Sequence, residues 1–354
     1  MRVAIVTDAW RPQTNGVVTT LMRTHDCLRA LGHDVAMLTP EGLRTIPCPT
    51  YPEIRLALRP GRVVRRWLEA ERPDALHIAT EGPLGFAARG AALRQGLRFT
   101  TSYHTQFPRY LRARAPVPEC LSYALLRRFH GAAARTMVNT REVRRDLRRH
   151  GFRNLVYWSR GVDTELFRPQ PDARLPYPRP ILIYVGRVAV EKSVEDFCRI
   201  RLPGTKVVVG GGPALGDLRR RYPEVVYTGY KHGEELARLV AGADCFVFPS
   251  RTDTFGLVML EAMASGLPVA AYPVTGPIDV VREGETGCLR DDLAAAVEAA
   301  LRLSPAACRA QALEYRWETA TRQFLGHLVE ARPTAQAARP RGRRLATLSG
   351  ERGS

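Results

Sequence analysis

Two doubly wound α/β domains, each built on a mostly parallel sheet, are predicted from three observations on the 354-residue chain. Short β-rich apolar runs alternate with helical patterns through the first half. The alternation stops at a proline-rich stretch, 161–180. A second alternating series then begins. Strand, helix, strand in repeat implies parallel sheets covered on both faces. Open parallel sheets take ligands at the C-terminal ends of their strands, so two facing sheets would make an interdomain site.

The elements follow in order. RVAIVTDAW, starting at Arg2, reads as a buried parallel strand ending at a loop. The loop RPQTNGVVTT contains Asn15 and Gly16. A helical pattern follows through LMRTHDCLRALGH, with Gly32 as its C-cap. DVAMLTP, DALHIATEG, LRFTTSYHT and RTMVNT are further strands with helices between them. The connector 161–180 holds five prolines and little periodicity. ILIYVG opens the second series, which continues through TKVVVGGG, EVVYTGY, DCFVFPS and LPVAAYPV. The expected organisation is a first domain at 1–160, the connector, a second domain at 181–310, and a helix at 311–330 packing back on the first domain. The end, 331–354, is Ala, Pro and Arg with almost no large apolar residue, and reads as a disordered basic tail.

Lys and Arg total 53 against 35 acids, a formal net charge of +18. Such a surface attracts polyanions: nucleic acid, anionic lipid or phosphorylated metabolites. It also suits a merely solvated face. The seven cysteines are scattered without a CxxC pair, as expected of reduced cytosolic thiols rather than a disulfide framework or a zinc site. No apolar run reaches the length of a bilayer span. Met1 leads straight into a strand without a signal region. The expectation is a cytoplasmic protein, free or peripheral on the inner face of the membrane.

The chemistry-bearing stretch is FPSRTDTFGLVMLEAMASGLPVAA, 248–271. DCFVFPS is a strand and RTDT a loop, with Asp253 or Thr254 placed to cap a helix running from Phe255 to Ser265. The first turn contains Gly256, followed by Leu257 and Val258, so the backbone there is bare. A helix start offers unpaired N–H groups and partial positive charge to a phosphate. Glu261 lies roughly 8–9 Å further along, where a ribose would lie. Asp253 could accept from hydroxyls on the other side of the phosphates. The spacing alone fits equally an N-cap carboxylate and a solvent-facing glutamate. In YVGRVAVEKSVEDF, Arg187 and Lys192 stand at a strand-to-helix corner and could neutralise a diphosphate without metal. A solvated basic corner is the other reading. Gly16 permits close backbone approach to a ligand. His104 follows a strand, where a structural histidine is equally at home. The glycines at 210, 211, 212 and 216 do not fit G-x-G-x-x-G, so a dinucleotide site is not indicated.

The segment FGLVMLEAMASGLPV, with acids at 253 and 261, resembles the Glu-x7-Glu motif of family 4 retaining glycosyltransferases of the GT-B fold. The resemblance covers roughly residues 1–325. Asp253 in place of the first Glu is similar to a branch of GDP-mannose-dependent α-mannosyltransferases and sulfolipid-synthase-like enzymes. The resemblance implies two Rossmann-like domains facing across a cleft. It implies a nucleotide diphosphate sugar as donor substrate, with no metal and no other cofactor. It places Arg187 and Lys192 on the donor diphosphate, and Gly16 on the same group from the opposite domain. It places His104 near the donor sugar, Asp253 on the sugar hydroxyls and Glu261 on the ribose. Thr254, Phe255, Gly256, Leu257 and Val258 would form the phosphate-binding helix start. Gly212 would flank the nucleotide and Tyr230 would lie near the base.

Arginines interleave with apolar residues in GRVVRRWLEAERP (Arg62, Arg65, Arg66 around Trp67). The same holds in FPRYLRARAPVPECLSYALLRRFH (Arg109, Arg112, Arg114, Arg127, Arg128 with Tyr110, Leu111 and Leu121). That pattern suits the edge of an anionic bilayer. The function expected is hexosyl transfer to an acceptor hydroxyl with α linkage, the acceptor a membrane glycolipid or polysaccharide precursor. Two alternatives stand beside it. One is a nucleotide-sugar epimerase or phosphorylase-like enzyme on the same architecture, although no pyridoxal phosphate lysine context is visible. The other is a basic nucleic-acid-binding protein, which would explain the charge but neither the two strand series nor the acid–helix–acid segment. No nucleic-acid-binding motif is present in the sequence.

Overall fold

The computed structural model describes residues 1–13, 15–48, 51–104, 118–253 and 255–331. The expected tail lies outside the described residues except for Ala331, which is buried and donates its N–H to Asp74 O at 2.7 Å; Thr254 and the arginines at 109, 112 and 114 also lie outside them.

The first sheet contains β1 (Arg2–Val6), β2 (Asp34–Leu38), β5 (Ala75–Ile78), β6 (Thr100–Tyr103), β7 (Arg135–Val138) and β8 (Leu155–Tyr157). Its order is β2-β1-β5-β6-β7-β8. Every pairing is parallel, beginning with Arg2 opposite Asp34 and Val6 opposite Leu38. Between β2 and β5 the chain makes an antiparallel hairpin, β3 (Thr45–Cys48) with β4 (Tyr51–Ala57). This hairpin was not expected, since its prolines and charges break any strand alternation.

The second sheet contains β9 (Ile181–Val185), β10 (Thr205–Val209), β11 (Val226–Gly229), β12 (Cys245–Phe248), β13 (Val269–Ala271) and β14 (Gly287–Leu289). Its order is β11-β10-β9-β12-β13-β14, again parallel throughout. Both sheets carry helices on their two faces, which is why strand residues such as Val3 to Val6 and Ile181 to Tyr184 are buried without alternation. The predicted pair of doubly wound α/β domains is what the chain forms.

One helix starts earlier than its apolar pattern suggested. It runs Gly16–Ala30, and the Asn15 side chain accepts from the N–H of Val17 and Val18. The capping asparagine, not the first leucine, sets the boundary. The last described helix, Trp317–His327, lies on the first domain, where Phe324 sits 5.0 Å from the Trp158 ring. Trp158 Nε1 donates to the carbonyl of Ala320 at 3.0 Å. The connector is also held down. Val162 N donates to Tyr315 O at 2.9 Å, and Arg309 donates to the carbonyls of Phe167 (2.8 Å) and Thr164 (3.0 Å).

Two contacts bring the C-terminal edges of the sheets together. A Cβ built on Gly16 would lie 3.3 Å from Leu257 Cδ1. The carboxylate of Asp279, in the second domain, accepts from the N–H of Arg141 (3.0 Å) and Glu142 (3.3 Å), which start a helix of the first.

Candidate functional site

The site is assembled from strand ends. β12 delivers the chain through a tight loop into the helix Leu257–Ala264. The helix begins two residues later than predicted. Its N-cap is Gly256 at φ 82°, and among the described residues no side chain caps it. A Cβ there would lie 2.8 Å from Met259 Cε, so a side chain would be strained by the left-handed backbone and would crowd Met259. Asp253 therefore does not cap this helix. It pairs instead with Lys192 Nζ at 2.5 Å, both side chains about one-fifth exposed. Phe255 turns inward and packs edge-on against Tyr315, so only its backbone remains for a ligand. Gly276, at φ 98°, braces the loop from behind, 3.2 Å from Asp253 O and 3.3 Å from Phe255 O by its would-be Cβ. Leu257 and Val258 are half-buried.

Glu261 lies on the same helix, about 6 Å along the axis from Leu257. Burial pushes its carboxyl up to about 7, while Arg23 on the helix Gly16–Ala30 opposes that rise. Arg23 is itself paired with Asp163 at 2.8 Å. Glu261 is therefore poised between donor and acceptor near neutral pH.

β9 ends at Gly186, and the following turn carries Arg187 and Lys192. Arg187 Nη2 bonds Glu191 Oε1 at 3.0 Å. The Arg187 carbonyl accepts from the buried hydroxyl of Tyr184 at 2.8 Å, which fixes the turn. Thr252 Oγ1 donates to Glu191 O at 3.1 Å, linking this turn to the Asp253 loop. The structure thus joins the Arg187 and Lys192 corner, which the sequence read as one unit, to the Asp253 loop. Each cation holds a carboxylate for which an incoming diphosphate would compete.

The glycine run after β10 serves close packing. A Cβ on Gly210 would lie 1.9 Å from Gly186 O, and one on Gly212 2.4 Å from Val188 O. A Cβ on Gly211 would strike Tyr230 Cε2 at 2.6 Å. The bareness of Gly212 is thus accounted for by the Arg187 turn lying against it. Tyr230 donates from its hydroxyl to Gly211 O at 2.9 Å, leaves its ring half-exposed and lies parallel to His232.

On the first domain, His104 directly follows β6 and is buried. Its Nδ1 lies 2.9 Å from Arg160 Nη2. Burial and the Arg160 charge hold the imidazole well below its ordinary range, so it is neutral at physiological pH. Asp8, at the end of β1, accepts from Leu84 N (2.8 Å), Gly85 N (3.1 Å) and Thr80 Oγ1 (2.9 Å). Asp8, Arg160 and Asp279 were missed in the sequence. Asp8 follows an apolar strand and could have been found as a strand-end acid. Arg160 and Asp279 lie in aperiodic segments and carry no local signal. Among the described residues no three His, Cys, Asp or Glu side chains group as a metal site would need.

Comparison with known proteins identifies the family. Residues 14–166 match the model "Glycosyltransferase Family 4", and residues 179–304 match "Glycosyl transferases group 1". A GDP-mannose-dependent alpha-mannosyltransferase of Mycobacterium tuberculosis is 31% identical over 377 aligned positions, covering 96% of this chain and 99% of that protein. Sulfoquinovosyl transferase SQD2 of Arabidopsis thaliana is 33% identical over 298 positions, covering 74% of this chain and 58% of that protein. Among solved structures, sucrose-phosphate synthase from Thermosynechococcus elongatus superposes with a TM-score of 0.74 at 22% identity, over 92% of this chain and 97% of that one. Anabaena HepE in complex with UDP and glucose gives 0.67 at 15% identity, over 92% and 98%. The two facing sheets are the GT-B fold, and the chain belongs to the family 4, group 1 glycosyltransferases.

Proposed function

We propose that this enzyme transfers a hexosyl group from a nucleotide diphosphate sugar, GDP-mannose first among the candidates, to a hydroxyl of a membrane glycolipid, with retention of the α configuration. The observation that carries the reading is the uncapped start of the helix Leu257–Ala264, beside Lys192 and Arg187 at the end of β9. N–H groups at a helix start and two cations form an electrostatic cradle for a departing nucleoside diphosphate. Similarity to mannosyltransferases over nearly the whole chain supports the donor. Similarity to SQD2, and to a phosphatidylinositol dimannoside mannosyltransferase of M. tuberculosis at 27% identity, supports a lipid acceptor.

In this mechanism the glycosidic C–O bond to the diphosphate breaks as the acceptor oxygen approaches the same face. Lys192 and Arg187 exchange their carboxylate partners for phosphate oxygens as negative charge grows on the leaving group. Asp253, released from Lys192, accepts from sugar hydroxyls. Glu261 binds the ribose, and Tyr230 lies against the base. Gly16 and Leu257 meet where the cleft narrows, which limits water access to the activated sugar. The protein's own cations neutralise the diphosphate, so turnover should persist in chelator.

The acceptor reaches the cleft from a membrane surface. Leu121 and Leu125 are exposed on the helix Glu119–His130 beside Arg127 and Arg128. Val63 is exposed beside Arg62, Arg65 and Arg66 on the helix Gly61–Glu71. Apolar and cationic side chains on one surface suit an anionic bilayer edge. No helix among the described residues is long and apolar enough to cross a membrane.

The test is incubation with a panel of GDP- and UDP-sugars, with and without anionic lipid extract, followed by mass spectrometry. A lipid product heavier by one hexosyl group, dependent on the donor, is expected. An epimerised nucleotide sugar formed without acceptor would overturn transfer in favour of isomerisation.

A further inference from the structure

Arg160 is the strongest feature that the donor cradle leaves unexplained. It is 4% exposed, and its guanidinium lies 4.4 Å from the centroid of the Trp158 ring. Its other neighbours are uncharged. Nη1 approaches the carbonyls of Trp158 (3.4 Å) and Ser159 (3.3 Å), and Nη2 donates to His104 Nδ1 at 2.9 Å. Among the described residues it forms no ion pair with a carboxylate. A buried arginine without an acid is costly, and chains retain one where its charge or its fork of donors is used.

The contact has a strict consequence. A guanidinium donates and never accepts. His104 Nδ1 facing it must therefore be the acceptor nitrogen, which places the ring proton on Nε2. The bearing of Arg160 is fixed by what surrounds it. Ser159 N donates to Gln323 Oε1 at 3.0 Å, and a Cβ on Gly161 would lie 2.5 Å from Trp317 Cδ2, so the backbone on both sides is clamped to the last helix. Among the described residues, Arg160, His77 and His130 act on His104, with the edge of Trp158 at 6.0 Å. His77 is engaged with Thr100 and Ser102, and His130 with Thr101 and Glu81. Arg160 bonds the ring directly at Nδ1.

We propose that Arg160 is a positioning residue for glycosyl transfer, locking His104 as a neutral Nε2–H donor at the first domain's edge of the cleft. His104 then offers a hydrogen bond of fixed polarity to an oxygen of the transferred sugar, and does not serve as a general base. A neutral imidazole held in this way orients the sugar through a hydrogen bond that it donates, without taking up or giving up a proton. This inference rests on the proposed transferase reading for the identity of the sugar, but not for the tautomer.

The test is a long-range proton–nitrogen NMR correlation on histidine-labelled full chain between pH 5.5 and 8.5. His104 is assigned by its disappearance in His104→Gln. Wild type should show His104 with a protonated Nε2, a bare Nδ1 and no titration across the range. An Nδ1–H tautomer, or titration at an ordinary histidine midpoint, would overturn the proposal without any variant being needed. In Arg160→Met the ring should become a tautomer mixture that titrates within the range. Its kcat should fall about 10- to 100-fold, with the KM for nucleotide sugar held within about twofold. Arg160→Lys keeps a cationic donor and should recover both the Nε2–H tautomer and part of kcat. A folded Arg160→Met with an unchanged tautomer and unchanged kcat would also overturn it. Failure of every nucleotide sugar to react would instead strike the proposed function, because the tautomer is read without substrate.

Discussion

The two domains share one plan, yet helix starts on the two sides of the cleft are treated in opposite ways. In the first domain three starts are filled by the protein itself. Asn15 caps Gly16–Ala30, Asp8 caps Pro83–Gln95, and Thr140 together with Asp279 caps Arg141–Arg149. In the second domain Leu257–Ala264 starts at a left-handed glycine, with no side-chain acceptor among the described residues. The positive end of a helix attracts whatever anion is nearest. Where a carboxylate is built in, phosphate has no place. Where glycine stands, the N–H groups remain for a ligand. Two sheets of the same plan thereby present different helix starts to the cleft, one side filled by carboxylates and the other opening at Gly256.

The sharpest way to break this contrast is to remove the second domain's charge. Lys192→Ala should lower kcat by about 10²–10³-fold in a chain that melts within a few degrees of wild type. Wild-type turnover would remove Lys192 from the cradle. Next in size is an attempt to make the second domain resemble the first. Gly256→Asp installs a carboxylate at the helix start, and should raise the Kd for nucleotide diphosphate about tenfold or more in calorimetry. The left-handed backbone there should add about 1–2 kcal/mol of destabilisation in urea. The reverse change, Asp8→Ala, strips the first domain's cap. It should cost about 1–3 kcal/mol of stability, from lost hydrogen bonds to two buried N–H groups and a hydroxyl. The donor KM should stay within about twofold; a large donor effect would erase the contrast.

Asp279→Ala loosens the cap that crosses from one domain to the other. It should cost about 1 kcal/mol and raise hydrolysis of the donor relative to transfer, measured as free sugar per product. The last effect is a pH-dependent one. The Glu261 carboxyl is raised from 4.5 to about 7 in the folded chain. Between those values the folded state binds a proton that the unfolded state has released, so this group's contribution to stability is lost as pH rises through 7. Glu261→Gln should therefore raise the melting temperature at pH 8, by about 1–2 kcal/mol in free energy, and leave it unchanged at pH 4. An equal gain at both pH values would show that burial does not raise this carboxyl.

Much of the fold was legible because buried parallel strands announce themselves. Runs such as ILIYV and CFVF are apolar on both faces, and helices must separate them. The β3–β4 hairpin was not legible, since its Thr, Pro, Cys and Arg residues alternate in no useful way. Within the site, the cations at 187 and 192 and the acids at 253 and 261 stood out by type and spacing. Their pairing did not. Lys192 and Asp253 are 61 positions apart and meet only because β9 and β12 are neighbours in the sheet.

By itself the sequence determined the two doubly wound domains, the strand-end location of the chemistry and the glycine that bares a helix start. Each follows from local pattern: apolar runs, turn residues, and a residue type that alone tolerates a left-handed backbone. Only the tertiary structure decided which carboxylates were consumed as caps, which cation each remaining acid met, and which nitrogen of His104 carries its proton. Those outcomes depend on contacts between distant segments, Arg160 with His104 and Asp279 with Arg141 among them. A contact of that kind leaves no trace in the spacing along the chain.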